Sequence, residues 1–182
     1  MRVKATAIPE VLIIEPDVFE DERGFFMETY HEKRYREMGI DVTFVQDNLA
    51  YSVKGTLRGL HYQYPNAQAK LIQVIQGEIF DVAVDIRAGS HTFGKWVGVK
   101  LSVTNKKQLF IPTGFAHGYC VLSDTALITY KCSTFYSPED EKGILWNDPD
   151  LKITWPIQNP LVSDKDQKLP SVNETTPNSI KI

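Results

Sequence analysis

The sequence predicts an all-β domain, a double-sheet jelly roll carrying one or two short helices. Short runs rich in Val, Ile, Phe, Thr and Tyr recur at residues 11–14, 24–30, 43–51, 57–63, 70–75, 78–87, 95–103, 108–111, 119–122 and 126–134. Turn residues separate these runs at the spacing of a sandwich or barrel. A convincing helical stretch occurs only over residues 31–38.

Taken in order, the elements have local reasons. The stretch 31–38 ends at Gly39, the residue type that closes helices in a left-handed conformation. Gln76-Gly77 marks a tight turn between two strands, and Ala88-Gly89-Ser90 marks another. In 78–87, Phe80, Val82, Val84 and Ile86 alternate with Asp81, Ala83 and Asp85, which gives one apolar and one polar face. Ser137-Pro138-Glu139-Asp140 reads as the start of a short helical turn. From Ser171 the chain is polar and without period, so a single domain over 1–170 and a flexible tail over 171–182 are expected.

Composition bounds the function. A net charge of −3 gives no general reason to expect nucleic-acid or membrane partners, and no apolar run is long enough to span a bilayer. The N-terminus turns polar within ten residues, unlike a signal peptide, and a cytoplasmic protein is expected. Cys120 and Cys132 read as reduced, buried strand residues, and Trp96, Trp146 and Trp155 as packing anchors. His31 reads as a helix start and His91 as an exposed turn.

Two clusters carry polar chemistry. The first, residues 55–87, holds His61 and Gln63 on one strand face, with Lys70 opening the next strand. Arg58 falls on the opposite face of a regular strand, and Gly55 and Gly59 permit a bulge that re-aims it. A solvated outer face is the plain alternative for this polar side. The second cluster, residues 110–124, contains Pro112-Thr113-Gly114, a turn that delivers His117 onto a strand.

Together the clusters resemble the two motifs of the cupin superfamily, whose metal-binding members place two histidines and an acid in the first motif and a further histidine in the second. Here Gln63 stands at the second histidine position and Lys70 near the acid. A divalent site needs three or more convergent donors and is repelled by a lysine, so no metal is expected. His61 is then free for proton transfer, for which imidazole is suited.

The stretches DERGFFMETY, FVQDN, GTLRGLHYQ, AQAKLIQVIQGEIFDVAVDIR, FIPTGFAHGY, YKCSTFYSPEDEKGILWNDP and VSDKDQKLP are similar, in order, to the dTDP-4-dehydrorhamnose 3,5-epimerase family. The resemblance covers residues 21–170 and implies a cupin-type fold, a dTDP-sugar substrate, no cofactor and a homodimer. It implies His61 as catalytic base, Asp166 as its carboxylate partner, Tyr130 as general acid and Lys70 as the cation at the ketone oxygen. It implies that Arg23, Glu28, Gln46, Asn48, Arg58, His117, Glu141 and Lys165 hold nucleotide, diphosphate or sugar, and that Phe26 and Tyr136 supply aromatic walls. Alone, Tyr130 reads as a packed strand residue, Glu141 as a solvated acid and Arg23 as part of a charged turn. Two alternatives stand beside this one: an epimerase inverting a single centre of a related 4-keto sugar, and a non-catalytic nucleotide-sugar-binding cupin.

Overall fold

Alternation of apolar residues along most of eleven short strands produces two sheets that bury a common interior, and two further strands of the described residues form a separate hairpin. The computed structural model of the chain describes residues 1–175. The strands are β1 (Arg2–Ala5), β2 (Leu12–Glu15), β3 (Val18–Asp21), β4 (Gly24–Met27), β5 (Gln46–Val53), β6 (Leu57–Gln63), β7 (Lys70–Gln76), β8 (Glu78–Asp85), β9 (Trp96–Ser102), β10 (Gln108–Ile111), β11 (Phe115–Val121), β12 (Thr125–Cys132) and β13 (Glu141–Gly143). Helix α1 (Glu32–Glu37) lies between β4 and β5, and α2 (Val172–Thr175) follows a 3₁₀ turn at Asp166–Lys168.

One sheet has the order β1-β2-β10-β7-β12-β5 and the other β13-β6-β11-β8-β9, while β3 and β4 form a separate two-stranded hairpin. All strand pairs are antiparallel. This is the double-sheet jelly roll expected from the sequence. None of the described helices is long and apolar enough to cross a membrane.

The core between the sheets takes Ile72, Val74, Leu109, Ile111, Ala126 and Ile128 from the first sheet. It takes Ile79, Ala83, Val97, Leu101, Phe115 and Val121 from the second. Each fully buried aliphatic side chain of this kind contributes about 1.5–3 kcal/mol of transfer free energy. The outer face of the second sheet is also covered: Leu57, Leu60, Val82, Val84, Ala116 and Cys120 pack against Ile144, Leu151, Trp155 and Val172. The polar face of β8 is therefore not solvated, because Asp81 and Asp85 are wholly buried. Asp85 is satisfied by the Arg87 guanidinium (2.9 and 2.7 Å), Ser90 Oγ and Thr92 Oγ1 (both 2.6 Å).

Some boundaries differ from the sequence reading. Helix α1 begins as expected, with the His31 side chain accepting from Arg34 N, and its turn closes at Gly39 with φ +92°. Residues 138–140 form a plain turn that leads into β13, whose three residues lack an apolar alternation to announce them. Strands β1 and β3 are mostly exposed edge elements without a Val/Ile-rich run. The packed chain continues past residue 170: Val172 is buried and its N–H bonds Asp148 Oδ2 at 2.8 Å. One valine anchors this turn within an otherwise polar stretch. The remainder of the expected tail, 176–182, lies outside the described residues.

Candidate active site

A break in the regular alternation of β6 builds the site. Opposite β11, His117 pairs with His61 and Tyr119 with Arg58, so one extra residue is inserted in β6. Leu57 before the bulge, and Leu60 and Tyr62 after it, face the outer core. The slip of one position turns both Arg58 and His61 toward the inter-sheet cavity, as the glycines of this stretch foreshadow. Gly59 occupies the bulge with φ +118°, and a Cβ there would stand 2.6 Å from Gly118 Cα and from the His117 carbonyl oxygen. Only glycine fits.

The cavity, about 950 Å³, opens between the sheets and is walled on one side by the C-terminal segment 160–167. That segment is tied across β6 by Leu57 N to Leu161 O (2.9 Å) and Leu161 N to Gly55 O (2.8 Å). The tie delivers Asp166 to His61. Asp166 Oδ1 lies 2.8 Å from His61 Nε2, and Oδ2 accepts from Gly59 N at 3.1 Å. Burial alone would raise the Asp166 carboxyl. The His61 hydrogen bond and charge, with donation from Gly59 and Ser163, outweigh burial and hold it below the usual aspartate value.

Lys70 and Tyr130 enter the same cavity from β7 and β12, where Tyr130 pairs with Ile72 and Lys70 with Cys132. Among the described residues neither the Lys70 ammonium nor the Tyr130 hydroxyl has a hydrogen-bond partner, so both are available to a ligand. Burial lowers the Lys70 pKa, against the opposing pull of Cys132, Asp81 and Glu141. Burial pushes Tyr130 up to about 12, so at neutral pH its phenol holds a proton to give.

An adjoining cavity of about 280 Å³ shares His61, Lys70 and Tyr130 with the first. It adds Gln46, Asn48, Tyr136 and Glu141. Glu141 Oε2 accepts from Tyr136 Oη (2.7 Å) and Lys165 Nζ (2.5 Å). Burial would raise Glu141, but these bonds outweigh it and hold the carboxyl low. Gln46 Oε1 accepts from Tyr136 N at 2.8 Å and orients that residue, and Gln46 Nε2 donates to Asn48 Oδ1 at 3.0 Å.

The structure thus gathers His61, Lys70, Tyr130, Asp166, Arg58, His117 and Lys165 around one cavity, and Gln46, Asn48, Tyr136 and Glu141 around its extension. It does not bring Arg23, Phe26 or Glu28 there. Arg23 and Phe26 lie on the β3–β4 hairpin beside a separate depression, and Arg23 is engaged with Asp21. Glu28 bonds Arg34 Nε at 2.9 Å. Sequence reasoning missed Tyr119, Ser163 and Gln167 as lining residues. Tyr119 shares the face of His117 by simple alternation, a signal that was there to read. Segment 160–167 has no period, and its VSDKDQKLP motif pointed to Lys165 and Asp166 but not to Ser163 or Gln167. Cys132, read as core, is buried and also borders the smaller cavity.

The donor set is wrong for a cation. Gln63 is consumed by backbone, donating to Asn66 O (2.9 Å) and accepting from Ser137 N (2.9 Å). Among the described residues no three His, Cys, Asp or Glu converge. An imidazole–carboxylate pair, a neutral phenol and an unpaired ammonium around one cavity define a cupin-fold enzyme for acid–base chemistry at carbon.

The comparisons agree with that class. The chain belongs to the dTDP-4-dehydrorhamnose 3,5-epimerase family, whose model matches residues 5–174. It is 62% identical over 168 residues to the dTDP-4-dehydrorhamnose 3,5-epimerase of Shigella flexneri, covering 91% of this chain and 93% of that one. The dTDP-6-deoxy-D-glucose-3,5-epimerase of Legionella pneumophila Philadelphia 1, solved with dTDP-4-keto-L-rhamnose, superposes with a TM-score of 0.96 at 50% identity, covering 100% and 98% of the two chains. A 3′-monoepimerase from Streptomyces bikiniensis, solved with dTDP-quinovose, gives a TM-score of 0.87 at 35% identity, covering 93% and 87%.

Proposed function

We propose that the chain epimerises C3 and C5 of dTDP-4-dehydro-6-deoxy-D-glucose, giving dTDP-4-dehydro-L-rhamnose. The observation that carries this reading is the convergence of His61–Asp166, Lys70 and Tyr130 on one cavity. A hydrogen on a carbon beside a ketone is acidic because its removal leaves an enolate. His61 takes that proton, and Asp166 holds the imidazole in place and favours the imidazolium that forms. The electron pair moves onto the C4 oxygen, where Lys70 faces the growing charge. Tyr130 returns a proton to the same carbon from the opposite face, and solvent resets both groups. Repetition at the other flank of the ketone inverts the second centre. No electrons leave the substrate, so this course needs no redox cofactor.

In the same reading, Arg58, His117 and Lys165 hold the diphosphate and sugar, and Gln46, Asn48, Tyr136 and Glu141 hold the nucleotide. Arg23, Phe26 and Glu28 act on the site of a second copy in a homodimer. Two features support that assignment. Phe19 and Phe26 on the hairpin are 66% and 70% exposed, and edge strand β5 shows Leu49, Tyr51 and Val53 to solvent. Residues 1–170 act as one domain, onto which the turn at Val172 also packs, and the cytoplasm is the proposed compartment, in keeping with two free, buried cysteines.

The test is solvent deuterium uptake by this substrate without added metal or nicotinamide. Label at both C3 and C5 is expected, and label at one position alone would make the chain a single-centre epimerase. The variant His61→Asn should lose exchange by at least about a hundredfold while binding dTDP. Near wild-type exchange by that variant refutes the assigned base.

A further inference from the structure

A second histidine–carboxylate pair stands beside the first, and the proposed reaction leaves its carboxylate without a role. Asp81 sits in mid-β8 with no exposed surface. Its side chain faces the sheet interior, cross-strand from Tyr119. Both its oxygens approach a single atom, His117 Nε2, at 3.0 and 3.1 Å. The Asp81 side chain makes no other hydrogen bond among the described residues. A carboxylate buried this deeply persists only when paired, and here all of its hydrogen bonding is with one imidazole, while its charge also acts on Lys70.

His117 is itself 8% exposed, yet it lines the cavity and stands directly across from His61 in the β6–β11 register. With Nε2 turned to Asp81, Nδ1 is the ring nitrogen left for a ligand. A carboxylate accepts, so the geometry assigns the shared proton to Nε2, which leaves Nδ1 as the nitrogen whose lone pair can face a ligand.

The carboxylates near the ring are engaged, and the hydroxyls on this wall that lack a partner among the described residues, those of Tyr119 and Tyr130, can donate as well as accept. Asp166 is taken by His61 and Gly59, and Glu141 Oε2 by Tyr136 and Lys165. Lys70 and Arg58 offer only donors. A sugar ring that carries hydroxyls needs an acceptor somewhere on this wall.

We propose that Asp81 is a positioning residue that fixes His117 in its Nε2–H tautomer, so that His117 Nδ1 accepts a hydrogen bond from a hydroxyl of the sugar ring. The sugar in this statement rests on the epimerase reading; the tautomer does not. The arrangement selects for a hydroxylated ring, because an analogue lacking that hydroxyl leaves Nδ1 unpaired in a buried site.

The test is ¹⁵N NMR of the full chain labelled at histidine, with the His117 signal assigned through His117→Gln, together with deuterium-exchange rates. In the wild type, His117 should report a protonated Nε2 and an unprotonated Nδ1. Asp81→Asn should redistribute the tautomer and slow exchange about 10- to 100-fold, with dTDP affinity retained. In the His117→Gln background the same substitution should change the rate no further, as expected for a residue that acts through His117. Asp81→Glu should restore part of the loss. A wild-type Nδ1–H tautomer overturns the proposal, and it does so even if Asp81→Asn fails to fold. An equal cost of Asp81→Asn in both backgrounds also overturns it. Absence of deuterium uptake by the wild type would instead refute the epimerase reading, and with it the sugar hydroxyl as ligand, while the tautomer result would stand by itself.

Discussion

Replacing Asp166 by Asn isolates the contribution of one carboxylate charge to the reaction. The side chain is nearly buried and receives His61 Nε2 at 2.8 Å and Gly59 N at 3.1 Å. Asn has the same shape, and its carbonyl oxygen can still accept from Gly59, so the bulge and the C-terminal tie should survive. What disappears is the charge-assisted bond to His61, together with stabilisation of the imidazolium that forms when the proton is taken. Such a bond contributes about 1.5–3 kcal/mol, which is roughly a 10- to 150-fold fall in rate when lost only in the transition state. An Asn amide turned toward Nε2 would also favour the wrong tautomer and push the loss toward the upper end of that range. The assay is the initial rate of deuterium incorporation at saturating substrate, with dTDP affinity measured separately. A fall in rate with unchanged dTDP binding is expected, because the interaction belongs to the transition state. Exchange within about twofold of wild type would refute the claim that the 2.8 Å contact matters to proton abstraction.

Three further outcomes follow from other parts of the structure. Lys70→Met should reduce exchange about 10²- to 10³-fold, the cost of one preorganised donor at a developing oxyanion; in the wild type, burial of Lys70 should place the alkaline limb of the pH–rate profile below the ordinary lysine value of 10.5. A limb at or above that value contradicts the assignment. Gly59→Ala combines a φ of +118° with 2.6 Å overlaps against backbone, and should cost about 3 kcal/mol, a fall of roughly 6–12 °C in melting temperature; a drop of only a degree or two would mean that β6 and β11 can part without cost. Acid stability should depend on Asp85: burial raises its carboxyl, but the bonds from Arg87, Ser90 and Thr92 bring it below the ordinary 3.8. Its stabilisation is therefore complete above the unfolded-state pKa and is lost as pH falls through the lower folded-state value. Asp85→Asn should be less stable at pH 7 and show a shallower decline of melting temperature from pH 5 to 3, and parallel declines would count against this origin.

The amino-acid sequence by itself determined the class of fold and most of the chemistry. Alternating Val, Ile and Phe runs specify strands because a half-buried pleated surface accepts that period and no other. The residue types Gln63 and Lys70 argue against a metal site before any geometry is known, and Gly59 signalled the bulge that aligns Arg58 with His61. The resemblance paired Asp166 with His61, but no local pattern of the residues did, and the tertiary structure decided how these charges come to share a wall. Asp166 reaches His61 across 105 positions of sequence, on a segment whose course is set by backbone bonds to β6 rather than by any periodicity. For Asp81 a solvated face was the plain alternative. The side chain proved buried against His117, because whether a polar strand face meets water depends on the second sheet laid over it, and sheet packing is not written in the local pattern of one strand.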